Sequence, residues 1–257
     1  MRDFDCVIFD WAGTTVDYGC FAPVQAFLEV FRHYGINPTM EEVREPMGML
    51  KIDHIRTMLN MPRIKNCWIE KYDAAPTEED VHALFGIFEE KLLSILHLYA
   101  DPKPDTVEAV KRLRAAGYAI GSTTGYTDKM MDIVAPIANE KGYAPDCWFS
   151  PDSTGQKGRP WPYMIYRNLE VLGIQDVRRV IKIGDTVSDI REGKNAGAVS
   201  AGIVIGSSEM GLSIEEFESM APEKQADLCN ETRKHFLDAG ADMTFLTLSE
   251  LADYLKA

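Results

Sequence analysis

The 257-residue chain has little that would hold it in a membrane, in an oxidising compartment or on nucleic acid. It has no run of about 18 consecutive apolar residues, so no membrane-spanning helix is expected. The opening MRDFDCVIFD carries two aspartates and no long apolar stretch behind them, so it does not read as a secretory signal. The five cysteines (Cys6, Cys20, Cys67, Cys147 and Cys229) are odd in number and widely scattered, and no CxxC pair occurs. They read as free thiols in a reducing cytoplasm, not as a disulfide framework or a zinc site. Cations are scarce: 27 Lys and Arg stand against 40 Asp and Glu, for a net charge of -13. That balance argues against a general binder of nucleic acid or of anionic membranes. It leaves room for an anionic small molecule, because a local lysine cluster, backbone N–H groups and a metal override net charge. A Walker-type phosphate loop is missing, and so are internal repeats and low-complexity tracts.

Apolar residues make up 46% of the chain, enough for a well-packed core, and their periodicity changes along the chain. Cys6–Phe9 is a short apolar run that stops at Asp10, as a buried strand running into a polar loop would. Helical spacing follows in Val24, Phe27, Leu28 and Phe31, with Gly35 as a stop. Further helices are expected from near Thr39, over Met49–Leu59, and from Thr77 to about Leu98. After Pro102 and Pro104, strands alternate with helices. The strands are expected at Tyr118–Ser122, Cys147–Ser150, Val180–Ile183 and Ser200–Ile205. The helices are marked by Val107, Val110 and Leu113, then by Asp128 onward, Met164–Leu172, Asp189–Ala196 and about Leu248–Lys256. Pro136 is expected to bend its helix or mark the first turn. Residues 213–237 are rich in charge and read as a solvated helical segment. Alternation of this kind implies an α/β fold, a Rossmann-like parallel sheet covered on both faces. The expected division is a core of residues 1–19 and 100–257, with an all-helical cap of residues 20–99 inserted after the first strand.

Ligands of a parallel sheet bind beyond the carboxyl ends of its strands. Four loops of this chain are expected there, carrying Asp10, the Ser122–Tyr126 stretch, the turn around Arg159, and Gly184-Asp185 with Asp189. One carboxylate after a strand means little. Three, Asp10, Asp185 and Asp189, would repel one another unless a hard cation joined them, and magnesium suits an all-oxygen set. Gly13, Gly125 and Gly184 let backbone amides approach closely, and Thr124 adds a hydroxyl, so phosphoryl oxygens can be held here.

The strings FDWAGTTVD, GSTTGYT, GRP and GDTVSD, in that order, resemble the haloacid dehalogenase superfamily of phosphoryl-transfer enzymes. With the insertion string MGMLKIDHIR, the resemblance runs over essentially the whole chain and narrows to the phosphonoacetaldehyde hydrolase (phosphonatase) family. It implies that Asp10 attacks phosphorus and becomes an aspartyl phosphate. It implies that Asp10, Asp185 and the backbone carbonyl of Ala12 hold magnesium, with Asp189 supporting them directly or through water. Thr124 and the amide of Gly125 would hold phosphoryl oxygens, and Arg159 would neutralise nucleophile and phosphoryl group. Lys51, on the insertion, would form a Schiff base with the substrate aldehyde, and His54 would shuttle protons beside it. Met47, Cys20 and Tyr126 would line the substrate. The implied role is cleavage of the C–P bond of phosphonoacetaldehyde in 2-aminoethylphosphonate degradation.

The chain departs from most of the superfamily at Ala12, where relatives carry a second aspartate that protonates an alkoxide leaving group. Alanine cannot do that. A phosphonate has a carbon leaving group, which a general acid would not rescue but an iminium on Lys51 would, by accepting the electrons as the bond breaks. Two other readings compete: a phosphate-ester phosphatase of the same fold, and a non-catalytic module that binds phospho-ligands. A homodimer through the cap is also expected, because Phe21, Val24, Phe27, Leu28 and Phe31 load one helix with apolar surface.

Overall fold

The computed structural model describes residues 4–257. The first residues of the expected core segment, 1–3, lie outside them. Strand β1 (Cys6–Phe9) is buried along its whole length, as a central parallel strand must be. Five helices make up the insertion that follows: α1 (Phe21–His33), α2 (Met40–Arg44), α3 (Lys51–Asn60), α4 (Pro62–Tyr72) and α5 (Glu78–Ile95). The remainder alternates, through α6 (Thr106–Ala115), β2 (Ala119–Thr123), α7 (Asp128–Glu140), β3 (Cys147–Phe149), α8 (Tyr163–Leu172), β4 (Val180–Gly184), α9 (Val187–Ala196) and β5 (Val199–Ile203). It closes with α10 (Ile214–Glu218), α11 (Pro222–Asp238), β6 (Met243–Phe245) and α12 (Leu248–Tyr254).

All pairings in the six-stranded sheet are parallel, in the order β3-β2-β1-β4-β5-β6. The chain winds one way from β1 to β3 and the other way from β4 to β6, so the order reverses between β1 and β4. That reversal opens a crevice at the carboxyl ends of these two strands, and Asp10 and Asp185 stand one residue beyond them. The α/β class and the helical insertion after the first strand are as expected.

Local signals explain the helices. Thr39 and Thr77 begin α2 and α5 with capping boxes, in which the threonine hydroxyl and an acid three residues on satisfy each other's backbone partners. Pro62 starts α4 at a position where its missing N–H costs nothing. Gly173 ends α8 with a left-handed backbone, at φ 67°.

Of the two places expected for Pro136, it takes the interior of α7 and not the first turn. Three other local expectations change. The 213–237 segment is helical and charged, yet Phe217, Cys229 and Phe236 are buried against Ile190 and Val204, so one face belongs to the core. Strand β6 has three residues and leaves no signal in the sequence, because so short an apolar stretch carries no period. The apolar face of α1 is spent within the chain: Val24, Phe27 and Phe31 are fully buried and Leu28 nearly so, packed against α5. Of the five residues on which a dimer through that helix was expected, Phe21 alone stays partly exposed. Among the described residues, no helix is long and apolar enough to cross a membrane, and all five cysteines are free.

Candidate active site

The nucleophile candidate is fixed first by its backbone. The amide of Asp10 donates to the carbonyl of Ile183 on β4 at 2.9 Å, continuing the sheet past β1. The turn that follows folds back tightly, with Thr15 Oγ1 donating to the carbonyl of Asp10 at 3.0 Å. Gly13 lies so close to Asp185 that a Cβ there would stand 2.1 Å from Oδ2, which is why this position needs glycine. Lys103 braces the same turn from below, donating to the carbonyls of Gly13 at 2.9 Å and Ile205 at 2.8 Å.

Arg159 reaches Asp10 from the loop after β3. Its Nη2 pairs with Asp10 Oδ1 and also donates to the carbonyl of Thr123 at 2.9 Å. Its other nitrogens are held behind, by Asp189 at 3.1 Å and Glu192 at 3.2 Å. Burial alone would depress the guanidinium, but Asp10, Asp189 and Glu192 outweigh it and keep the charge in place. Lys182 completes the network from inside β4, 2.8 Å from Asp189 and 3.5 Å from Glu192, with all three side chains fully buried.

Asp185 has a different environment. It is fully buried and accepts from Thr14 Oγ1 at 2.9 Å and from the Ser208 amide at 2.8 Å. It has no ion pair among the described residues. Burial, then Asp10 and Asp189, push its carboxyl well above the usual range. Oxygens of Asp10, Asp185 and Asp189 lie within 4.8 Å of one another. A buried carboxylate without a counter-ion, facing another, is the environment a hard divalent cation fits. Asp189 is placed to support such an ion. Its Oδ1 is shared by Lys182 and Arg159, and its Oδ2 accepts from Thr186 Oγ1 at 2.7 Å. Burial would raise the Asp189 carboxyl, but these two cations hold it low.

Above Asp10 is a small cavity roofed by the insertion. The core side contributes Asp10, Ala12, Thr124, Gly125, Tyr126, Arg159 and Thr186, and the insertion side contributes Cys20, Met47, Gly48 and Lys51. Of the residues expected to act in catalysis, substrate binding or metal binding, Asp185, Asp189 and His54 do not line it, and the first two lie just beneath; Gly13 and Gly184 do not line it either. Thr124 Oγ1 accepts from the Tyr126 amide at 3.0 Å, which leaves its hydroxyl proton to donate into the cavity. The roof is close: a Cβ on Gly48 would stand 2.3 Å from Thr186 Oγ1, and one on Gly125 would stand 3.3 Å from the Met49 carbonyl.

Lys51 starts α3 and is buried. Its Nζ has no ion pair among the described residues and lies over the rings of Phe27 and Tyr126, at 5.9 and 5.5 Å from their centroids. Burial lowers its pKa, partly offset by Cys20 and Asp10, while Arg159 lowers it further. A lysine so placed is set up to be a neutral amine. Covalent capture of Lys51 by an aldehyde should therefore quicken with rising pH and level off below the roughly 10.4 of a free lysine, as the rate of borohydride trapping against pH would measure. His54 sits outside the cavity, its ring stacked on Phe27 at 3.8 Å and its Nε2 bonded to the Val43 carbonyl at 2.9 Å. Because a carbonyl only accepts, Nε2 carries the proton and Nδ1, which has no partner, is the basic nitrogen. Burial, reinforced by Lys51, holds the ring well below its usual pKa and hence neutral.

The sequence matches the haloacid dehalogenase-like hydrolase family over residues 4–197. It is 51% identical over 247 residues to a phosphonoacetaldehyde hydrolase of Lysinibacillus sphaericus, covering 96% of this chain and 92% of that one. The chain belongs to the phosphonoacetaldehyde hydrolase family of haloacid dehalogenase-like hydrolases. Among other members of that family, a bifunctional phosphonoacetaldehyde hydrolase/aminoethylphosphonate transaminase of Clostridioides difficile is 51% identical across 97% of this chain, which spans 39% of that longer protein. The crystal structure of a phosphonoacetaldehyde hydrolase-like protein from Oleispira antarctica superposes with a TM-score of 0.96 at 33% identity, over 99% of this chain and 92% of that one.

Sequence reasoning overlooked Lys182, Glu192, Lys103, Thr14 and Ser208, which hold the phosphonoacetaldehyde hydrolase site in shape. A lysine in the middle of the buried strand VIKIG was the one visible signal, since an unpaired charge does not survive there.

Proposed function

We propose that the chain hydrolyses phosphonoacetaldehyde to acetaldehyde and phosphate, with magnesium as its ion. The observation that carries the reading is the shared cavity. A carboxylate, Asp10, and a buried amine free of ion pairs, Lys51, line the same small space, while Ala12 stands where an acid would serve an ester. Membership of the phosphonoacetaldehyde hydrolase family supports it.

In this reading Lys51 Nζ attacks the aldehyde carbon and water leaves, giving an iminium. Asp10 attacks phosphorus while Arg159, Thr124 and the Gly125 amide bear the phosphoryl charge. As the C–P bond breaks, its electron pair moves into the iminium and gives an enamine on Lys51. Water then cleaves the aspartyl phosphate, and the enamine is protonated and hydrolysed to acetaldehyde. His54, neutral with Nδ1 free, serves proton transfer from behind Lys51. Met47, Cys20 and Tyr126 enclose the two-carbon portion, and burial keeps Tyr126 a neutral phenol. The ion would be held by Asp10, Asp185 and the Ala12 carbonyl, with Asp189 behind them, and would supply charge neutralisation for the attack of one anion on another.

The helical segment 20–99 acts as a cap that opens and closes over the site. The transaminase fused to the Clostridioides difficile relative supports a reading in which the reaction follows removal of the amino group of 2-aminoethylphosphonate. Five free thiols suit a cytoplasmic setting. A cap-mediated homodimer draws no support from α1.

Phosphate and acetaldehyde should appear in equal amounts from phosphonoacetaldehyde with magnesium, and cease with EDTA. Release of neither, with turnover of sugar phosphates instead, would replace the reading with an ester phosphatase. Ala12→Asp separates the two more sharply. An ester phosphatase gains activity from the restored acid, by the roughly 10²–10⁴-fold that general acid catalysis contributes. A phosphonatase gains none, and a panel of phosphate esters assayed beside phosphonoacetaldehyde reads the difference.

A further inference from the structure

Arg44 ends α2 on the insertion, yet its side chain is spent on the core. Its Nη1 donates to the carbonyls of Gly19 and Ser208, each at 3.0 Å. Gly19 lies in the strand-to-cap connection, where Asp17, Gly19 and Cys20 all take positive φ, at 51°, 80° and 55°. Asp17 fixes the far side of that connection by accepting from the first amides of α1, Phe21 at 2.9 Å and Ala22 at 3.0 Å. The Gly19 amide in turn donates to the carbonyl of Gly206 at 2.9 Å. One guanidinium thus ties together the insertion, its connection to the core and the loop after β5.

Ser208 makes the tie functional. Its carbonyl accepts from Arg44, and its amide donates to Asp185 Oδ2 at 2.8 Å. The position of the insertion is therefore linked through one residue to a carboxylate of the Asp10, Asp185 and Asp189 cluster. The surroundings are shaped for the arginine. Its guanidinium lies 5.2 Å from the centroid of the Phe21 ring, and a Cβ on Gly211 would press to 2.8 Å from Nε.

We propose that Arg44 is a positioning residue that latches the cap shut and couples closure to Asp185. The inference needs only a cap that closes over Asp10, so it stands whether the substrate is a phosphonate or a phosphate ester. The latch is poised to release. Arg44 Nε and Nη2 are buried without partners among the described residues, so the closed state bears the cost of a half-satisfied cation. A half-satisfied cation holds the closed state less firmly than a fully satisfied one would, which eases reopening in each turnover.

The test uses the full chain and two variants, Arg44→Met, which keeps the apolar stem, and Arg44→Lys, which keeps the charge. Native-state hydrogen exchange at the amides of Gly19 and Ser208 is compared with exchange in β1, β4 and α5. Losing charge-assisted bonds to two carbonyls should speed exchange at those two amides by about tenfold or more in the methionine variant, with less change in the lysine variant. The sheet and α5 should stay at wild-type rates. In the kinetic arm, kcat/KM for phosphonoacetaldehyde should fall in Arg44→Met through a raised KM, and recover in part in Arg44→Lys. Unchanged exchange at Gly19 and Ser208 would overturn the latch. So would faster exchange spread evenly over sheet and helices in both variants, because that marks a merely structural residue. Failure of the wild type to turn over phosphonoacetaldehyde would count against the proposed substrate, while the exchange data would still decide the latch.

Discussion

Lys51→Met is expected to abolish turnover of phosphonoacetaldehyde, by more than about 10³-fold in kcat/KM, and at the same time to make the protein more stable. The loss follows from the chemistry of the bond. Without an iminium the departing carbon must carry its electron pair alone, and no neighbouring group replaces the amine, since Ala12 is inert and His54 is outside the cavity. The gain follows from burial. Lys51 is enclosed, has no ion pair among the described residues, and has a pKa lowered first by desolvation. Its folded pKa lies below the unfolded value, so between the two the unfolded chain binds more protons and stability rises with pH. The penalty is fully present below the folded pKa and gone above the unfolded one. Melting temperatures of wild type and Lys51→Met should therefore differ most in mild acid and converge toward pH 10. A methionine variant less stable than wild type at every pH would show that the amine is a structural group.

Asp10→Asn should lower kcat by a factor on the order of 10⁴–10⁶, the scale on which removal of an enzyme's nucleophile is felt. Its informative property is what it keeps. Lys51 meets the aldehyde without help from Asp10, so borohydride should still fix substrate on Lys51 in this variant. Phosphate release, measured in the same samples, should vanish. Loss of both together would mean that Asp10 organises the cavity instead of attacking phosphorus.

These effects rest on residues the sequence makes visible to different degrees. Asp10, Thr124, Arg159 and Asp185 each follow a strand or its loop, so a pattern of short apolar runs ending in polar residues already brings them to one edge. Lys51 and Met47 lie far from that edge in the chain, and periodicity says only that they and Cys20 belong to the insertion. Their place in the cavity depends on how the insertion docks, through contacts such as Gly48 against Thr186. His54 shows the limit of helical spacing. Three residues from Lys51 puts it on the same side of α3, but the stack on Phe27 and the bond to Val43 turn it away from the substrate space. Phe27 and Phe31 mislead in the opposite direction, because an apolar helix face looks alike whether a partner subunit or α5 covers it. Lys182 is silent in sequence except as a charge in unexpectedly apolar company, and Glu192, between Arg191 and Gly193-Lys194, gives no signal. Arg44 is silent altogether, since nothing local says that a helix-end arginine reaches carbonyls 25 and 164 positions away.

The central claim is that Asp10 and Lys51 divide the work, one taking phosphorus and the other carbon. Borohydride reduction of the wild-type protein during turnover, followed by peptide mass mapping, tests it most directly. The account predicts a reduced two-carbon adduct on the peptide containing Lys51, dependent on phosphonoacetaldehyde, with loss of activity in step with labelling. An unlabelled Lys51, together with full activity in Lys51→Ala, would contradict it.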